Sequence, residues 1–314
     1  MPLDPQVREL RDRQAEQGFA AFRSAGVEGA RVSSRGVVAW RASLAACPDK
    51  VATVEDRMIP SVDGMVPVRV YVPVGAPTGV VTYLHGGGFV VGDLDASDPH
   101  CRAICARSQA VVVSVDYRLA PEHPFPAPVH DAYAALRWSA DAFAVPTGLP
   151  LAVAGDSAGG NLAATTAMLA RDVGFPRLAA QLLIYPMLDP TMSAPSIVDN
   201  GEGYLLDAPT LAWFWRHYLG DPPARSFLAA PLTAQLGGLA PALIMTAELD
   251  PLRDEGERYA ELLAAAGVPT RVRRYDTLVH GFFGWSAFVE AADAAVSQIC
   301  AELCELLHSP SPLH

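Results

Sequence analysis

Lysine is all but missing from this sequence: 23 residues are lysine or arginine, and Lys50 is the only lysine among them. A phosphate-binding loop of the Walker type needs Gly-Lys followed by Ser or Thr. No Gly-Lys pair occurs, so a nucleotide hydrolase of that class is excluded, and a Schiff-base mechanism would have Lys50 as its sole candidate. The run Gly86-Gly-Gly-Phe-Val-Val-Gly92 has Val91 where a dinucleotide fingerprint places its third glycine, so no Rossmann cofactor is expected. Positive charge is short overall: 23 basic against 34 acidic residues give a net charge of −11, a field that repels phosphate backbones and anionic lipid surfaces. No nucleic-acid partner is expected.

Cysteine is also scarce, and its five copies are an odd number that fits a reducing compartment better than a disulfide framework. The first residues carry Asp4, Arg8, Glu9, Arg11, Asp12 and Arg13 without an apolar leader, and no run of about 18 apolar residues occurs anywhere. The expectation is a soluble, cytoplasmic protein with no membrane span. With 51% hydrophobic and 18% charged residues, the chain has enough apolar surface to offset the entropy of ordering, and wholesale disorder is excluded.

Residues 1 to about 50 are polar and helical in period, with Val7, Leu10, Phe19 and Phe22 as apolar positions. From about residue 54, short β-rich runs alternate with helical stretches. The runs are Val66–Val72, Val80–Leu84, Val111–Val115, Leu151–Ala154, Gln181–Tyr185, Ala242–Thr246 and Thr270–Tyr275. Helices are predicted at about 97–109, 128–143, 158–172, 251–266 and 286–307, bounded by Pro, Gly or an Asp/Ser cap. Strands separated by helices mean βαβ units and a mostly parallel α/β sheet covered on both faces. The rhythm breaks at 188–228, where Thr210 to Tyr218 form an aromatic helix-like stretch that is expected outside the sheet, beside the N-terminal helices. Pro121, Pro124, Pro126 and Pro128 read as one rigid extended loop.

Chemistry concentrates in two glycine-rich segments. Gly155-Asp-Ser157-Ala-Gly-Gly160 follows a strand-like run and precedes a helical one, the strand–turn–helix context of a nucleophile elbow in which small neighbours let the backbone present Ser157. Without that context Gly-x-Ser-x-Gly is also what a chance glycine-rich loop looks like. The second segment, His85-Gly-Gly-Gly-Phe89, ends another strand. Its glycines leave backbone N–H groups open to a substrate, and Gly86 and Gly87 with the Ala158 amide are the predicted oxyanion donors. His85 is expected to orient this loop rather than act as a base.

A serine nucleophile needs a base and the base a carboxylate, in the chain order Ser, acid, His. Of the later histidines, His217 lies in the aromatic segment, His308 and His314 lie in the tail, and His280 falls in a loop after the last strand. His280 is therefore the predicted base. Asp250, after the strand Ala242–Thr246 and before Pro251, is the predicted acid, with Glu248 and Asp254 as competitors and a plain helix cap as its other reading.

Assembled, these pieces resemble the bacterial hormone-sensitive-lipase-like (family IV) esterases, in the branch whose elbow reads Gly-Asp-Ser-Ala-Gly-Gly. The likeness rests on His85–Phe89, Asp116-Tyr-Arg-Leu-Ala-Pro-Glu-His123 with Pro126-Ala127 and Asp131, Gly155–Gly160, Asp250-Pro-Leu-Arg-Asp-Glu-Gly256 and His280-Gly-Phe282. It implies an α/β-hydrolase fold, with a mostly parallel eight-stranded sheet, helices on both faces and a helical cap. The cap would comprise residues 1–50 and 188–228, the core 51–187 and 229–314. It also implies cofactor-free hydrolysis of short-to-medium acyl esters, with an amidase or deacetylase of an acylated natural product as the alternative within the class. The scaffold also serves as a non-catalytic small-molecule receptor in relatives that have lost the histidine, which is present here. Phe89, Trp213, Phe214 and Phe282 are assigned to the substrate pocket. The Asp116–Asp131 stretch is given a structural role through hydrogen bonds and salt bridges.

Cys300, Cys304 and His308 fall at i, i+4 and i+8, but one helical face supplies no converging fourth ligand, so no metal is expected and the cysteines read as a buried stripe. Arg271, Arg273 and Arg274 mark the last strand as a sheet edge. Their charge blunts pairing. Esterases that the sequence resembles often dimerise through this edge, so a homodimer there stays open.

Overall fold

The computed structural model describes residues 2–44 and 48–308; His314 and Cys47 lie outside them. The chain opens with helices α1 (Pro5–Glu16) and α2 (Phe22–Leu44), α2 being broken at Gly26, where φ is 68°. Strands β1 (Thr53–Ser61), β2 (Gly64–Val72) and β3 (Gly79–Leu84) lead to α3 (Leu94–Ser108), β4 (Ala110–Val115) and α4 (Ala127–Ser139). A π-turn and the short α5 (Val145–Thr147) precede β5 (Leu151–Asp156), α6 (Ala158–Val173) and β6 (Ala180–Ile184). Then come α7 (Pro195–Asp199), α8 (Ala208–Leu219), β7 (Ala242–Leu249), α9 (Arg253–Ala265), β8 (Thr270–Val279) and α10 (Glu290–His308).

The eight strands form one sheet in the order β1-β2-β4-β3-β5-β6-β7-β8, with β2 antiparallel to both its neighbours and all pairs from β4 to β8 parallel. Central strands β3 to β6 are buried along their whole length, as parallel strands covered on two faces must be. Their two faces feed two apolar layers, one containing Val80, Val113, Leu162 and Leu183, the other Val81, Val112, Leu182 and Leu243.

The sheet matches the expected α/β architecture, and three local expectations need correction. Strand β1 was not anticipated: it is an exposed edge strand whose Glu55, Asp56 and Arg57 hide the alternation, and the hairpin register with β2 holds it in place. Helix α3 begins three residues earlier than predicted, because Asp93 accepts the Ala96 N–H and caps it at Leu94. The proline run is not one extended loop; it forms successive turns, with Pro126 capping α4 and Pro128 in its first turn, positions where a fixed φ suits a helix start.

Fully buried Asp131 accepts from the Arg118 N–H, the Arg118 Nε and Nη2 groups and the Ser61 hydroxyl, which locks the loop after β4 onto α4 and the β1–β2 hairpin. At the far edge, β8 directs Arg271, Arg273 and Arg274 to Glu302, Glu305, Glu248 and Glu257 on neighbouring elements. Above the sheet's C-terminal edge, α2 and α8 meet through Phe22 and Phe214, whose ring centroids lie 6.0 Å apart. Arg31 anchors α2 to the core by pairing with Glu122 and donating to the Val90 and Ala120 carbonyls.

Candidate active site

Strand β5 ends in a turn that leaves no room for side chains. A Cβ on Gly155 would collide with the Gly159 carbonyl, one on Gly159 with the Leu84 carbonyl, and one on Gly160 would stand 2.8 Å from the Pro186 side chain. With that space closed, the chain reverses at Ser157 with φ 55° and ψ −118°, a region that residues other than glycine rarely occupy. The Ser157 N–H donates to Ile184 O and its carbonyl accepts from Asn161 and Met187, so the end of β6, the segment after it and α6 hold the strained residue in place.

At the C-terminal end of β8, His280 Nε2 lies 3.0 Å from Ser157 Oγ, and its Nδ1 lies 2.8 Å from Asp250 Oδ2. Asp250 is fully buried just past β7, and its other oxygen accepts the Leu252 N–H at 2.8 Å. The plain cap reading does not hold: α9 begins at Arg253 with Leu252 at its N-cap, and the Asp250–Leu252 bond closes a local turn ahead of it. The competitors are engaged elsewhere: Glu248 pairs with Arg253 and Arg274, while Asp254 pairs with Arg253 and accepts the Ser196 N–H. His217 packs on Trp213, and His308 bonds to its own helix at the Cys304 carbonyl. Cys300 is buried against the Ala103 carbonyl, its thiol pushed up to about 12 by burial, and the Cys304 sulfur lies 3.6 Å from His308.

The glycine loop after β3 faces Ser157 from the other side. His85 stacks on Tyr117 at 4.3 Å and bonds through Nδ1 to the Gly86 carbonyl, while the Tyr117 hydroxyl donates to the His85 carbonyl. The histidine thus orients the loop, as the sequence reading assigned it. One predicted donor is displaced: the Gly86 N–H is occupied, donating to Asp156 Oδ1 at 2.8 Å, and the Tyr83 hydroxyl donates to the same oxygen at 2.7 Å. Among the described residues no acceptor takes the Gly87 or Gly88 amide. Gly88 has φ 59°, and a Cβ there would enter the Phe214 ring, so the loop passes directly beneath α8.

These elements enclose a cavity of about 430 Å³ that includes Ser157, His280 and Gly86–Gly88 in its wall. Its apolar roof comes from Phe19, Phe22, Val37 and Val38 of the N-terminal segment and from Leu206, Leu211 and Phe214 of the 188–228 segment. Of the four aromatics assigned to the pocket, Phe214 alone lies on this wall. Phe89 is buried with its ring 3.6 Å from Tyr218 in a parallel stack, and Phe282 packs edge-on to Tyr185 and Tyr275. Trp213 precedes Phe214 by one residue, about 100° around the helix, and is turned to His217 instead.

The sequence reading did not find Asp156, Tyr83, Arg41 or His100. Asp156 stands inside the elbow motif and was legible as a motif residue. Arg41 and His100 gave no signal, because the approach of α2 to α3 over the cavity is a tertiary event. Glu255, in the first turn of α9, is a further buried carboxyl: it accepts the Leu188 N–H, and burial pushes it well above the usual carboxylate range.

Comparison with known proteins points to one family. A family described as the alpha/beta hydrolase fold matches residues 81–284, more than half of the chain. Carboxylesterase NlhH of Mycobacterium tuberculosis (strain ATCC 25618 / H37Rv) is 46% identical over 267 residues, covering 82% of this chain and 83% of that protein. The ethyl acetate hydrolase of Pseudomonas putida is 38% identical, covering 83% and 86%. Among solved structures, a hyperthermophilic esterase from the archaeon Pyrobaculum calidifontis superimposes with a TM-score of 0.88 at 42% identity, covering 98% of this chain and 100% of that one. No helix among the described residues is long and apolar enough to cross a membrane. The elbow at Ser157, the glycine loop facing it, the eight-stranded sheet and these similarities together place the chain in the α/β-hydrolase family, within its hormone-sensitive-lipase-like branch.

Proposed function

We propose that the protein is a serine carboxylesterase acting on short-to-medium acyl esters through an acyl-enzyme. The observation that carries this reading is the continuous hydrogen-bond chain from Asp250 through His280 to Ser157, ending in the cavity. In the first half-reaction His280 Nε2 takes the Ser157 proton as Oγ attacks the ester carbonyl, and the resulting imidazolium is stabilised by Asp250, which also fixes the tautomer. The same proton then goes to the leaving alkoxide. In the second half-reaction His280 removes a proton from water, which attacks the acyl-serine, and returns it to Ser157.

The oxyanion of each tetrahedral intermediate is received by the Gly87 and Ala158 amides, with Gly88 beside them. Gly86 serves instead to fasten the loop to Asp156. Ala158 opens α6, so its N–H lies at the positive end of the helix dipole. The apolar roof and the cavity volume support acyl chains of limited length.

The test is hydrolysis of p-nitrophenyl esters from acetate to dodecanoate by wild type and Ser157→Ala. Turnover peaking at short chains, and reduced by about six orders of magnitude in the variant, is the expected result. A folded wild type without turnover contradicts the reading.

A further inference from the structure

One cation in the cavity wall has no counter-charge. Arg41 sits in the last turn of α2 and lines the same cavity as Ser157. Its Nη2 donates to Gln14 Oε1 at 2.8 Å, and the guanidinium lies over the Trp285 ring, 5.1 Å from its centroid. Its Nε is sealed from solvent with no acceptor. Among the described residues no carboxylate forms an ion pair with it, whereas the arginines at 31, 69, 107, 118, 253 and 274 each have at least one.

Taking a guanidinium out of water without a counter-charge is costly, and burial pulls its pKa down to about 10, which leaves it charged at neutral pH. Further polar atoms around it are also unsatisfied. His100, on the same wall, has a buried Nδ1 without a partner, and behind the wall Trp285 Nε1 has none. Burial lowers the His100 pKa, so its ring is neutral and does not compete with Arg41 for an anion. The two carboxylates that do line the cavity are already engaged. Asp156 accepts from Tyr83 and Gly86, and Asp207 caps α8 at Thr210.

From this we infer that the ester taken by the cavity carries a carboxylate away from its scissile carbonyl, and that Arg41 receives it through Nη1. The inference rests on the esterase reading of the site and narrows its substrate class. The Nη1 end of the guanidinium, to which no hydrogen-bond partner falls among the described residues, offers a charged donor to a carboxylate oxygen, and such a charge-assisted bond is shorter and stronger than a neutral one.

Two kinds of ester meet the description, and each has a neutral mimic of the same shape. In half-esters of dicarboxylic acids the carboxylate is on the acyl side: monoethyl succinate is compared with ethyl 4-oxopentanoate. In O-acylated hydroxy acids it is on the alcohol side: acetoxyacetate is compared with acetoxyacetone. Titrimetric kcat/KM values at neutral pH give an anion-to-neutral ratio for each pair. The expected result is a ratio above one in at least one pair, which tells the two sources apart, and a fall in that ratio of about 10- to 100-fold in Arg41→Met. Arg41→Lys, which keeps the charge but not the guanidinium held by Gln14 and Trp285, falls between.

A thermal-shift titration of Ser157→Ala with monoethyl succinate and with acetoxyacetate gives a readout independent of turnover. Its melting temperature is expected to rise with the preferred anion, and not when Arg41→Met is added. A wild-type ratio at or below one in both pairs overturns the inference whether or not Arg41→Met folds, as does a ratio that Arg41→Met leaves unchanged. Loss of turnover on every ester, neutral ones included, contradicts the esterase reading itself; good turnover of the neutral mimics without anion preference removes only the carboxylate assignment.

Discussion

The floor and the roof of the cavity are held by different means. In the floor, backbone packs on backbone: Gly159 lies against the Leu84 and His85 carbonyls, Ser157 is pinned through both its main-chain groups, and Gly86 is tied to the Asp156 carboxylate. In the roof, side chains meet side chains, Phe22 on Phe214 and Arg31 on Glu122, and helix α2 contributes to the cavity mainly through what its residues carry. A floor of this kind holds Ser157 and the glycine loop rigidly but has no freedom to vary. The roof can change its residues while the backbone beneath it stays as it is. Chemistry is thereby assigned to one region and substrate choice to the other.

Substitutions on the two sides should separate accordingly. The largest effect on turnover, after Ser157→Ala, is expected from Gly159→Ala. Its Cβ has only main chain to displace, so the elbow must shift or open at a cost of about 3 kcal/mol or more, and thermal melting and ester turnover should fall together. Gly159→Ala with wild-type stability and rate would break the distinction.

Next is Asp156→Ala, which leaves the buried Tyr83 hydroxyl without an acceptor and releases the Gly86 amide. The loop carrying Gly87 loses its tether, so kcat should fall about 10- to 100-fold while KM changes little, measured on p-nitrophenyl acetate. An equal loss seen in KM alone would place Asp156 with the roof instead.

The smallest effect is expected at Phe214. Phe214→Ala opens the roof above Gly88 and should move the preferred acyl length upward, with a few-fold loss on acetate. Trp213→Ala, one residue away but turned off the wall, should leave the chain-length profile where it was and register in the melting temperature alone. Identical profiles for the two variants would mean that the roof does not sort substrates residue by residue.

The same division explains how much could be read from the sequence. Seven strands and the Ser157, His280 and Asp250 positions were legible because each leaves a short-range mark: continuous apolar runs, glycines where a Cβ has no room, and a chain order that restricts which histidine and carboxylate meet the serine. Strand β1 left no such mark, since an exposed edge held by pairing with β2 needs no apolar face. Gly86 was misassigned as a donor because nothing in a run of three glycines tells which amide a distant carboxylate will claim. Phe89, Trp213 and Phe282 share the composition expected of a pocket, yet each is turned into the core, a matter of helix phase and of partners such as Tyr218 and Tyr185. Arg41 lies in a polar helical stretch that reads as solvated surface until α2 folds over the site.

The central claim is that the strained Ser157 is a nucleophile that becomes acylated. The direct measurement is rapid-mixing hydrolysis of p-nitrophenyl acetate by the full chain, followed by acid quench and peptide mass analysis. A burst of about one p-nitrophenolate per chain, with one acetyl group on the peptide containing Ser157 and neither burst nor acetyl in Ser157→Ala, is the predicted result. Undiminished turnover in Ser157→Ala, or an acetyl group found on another residue, would contradict it.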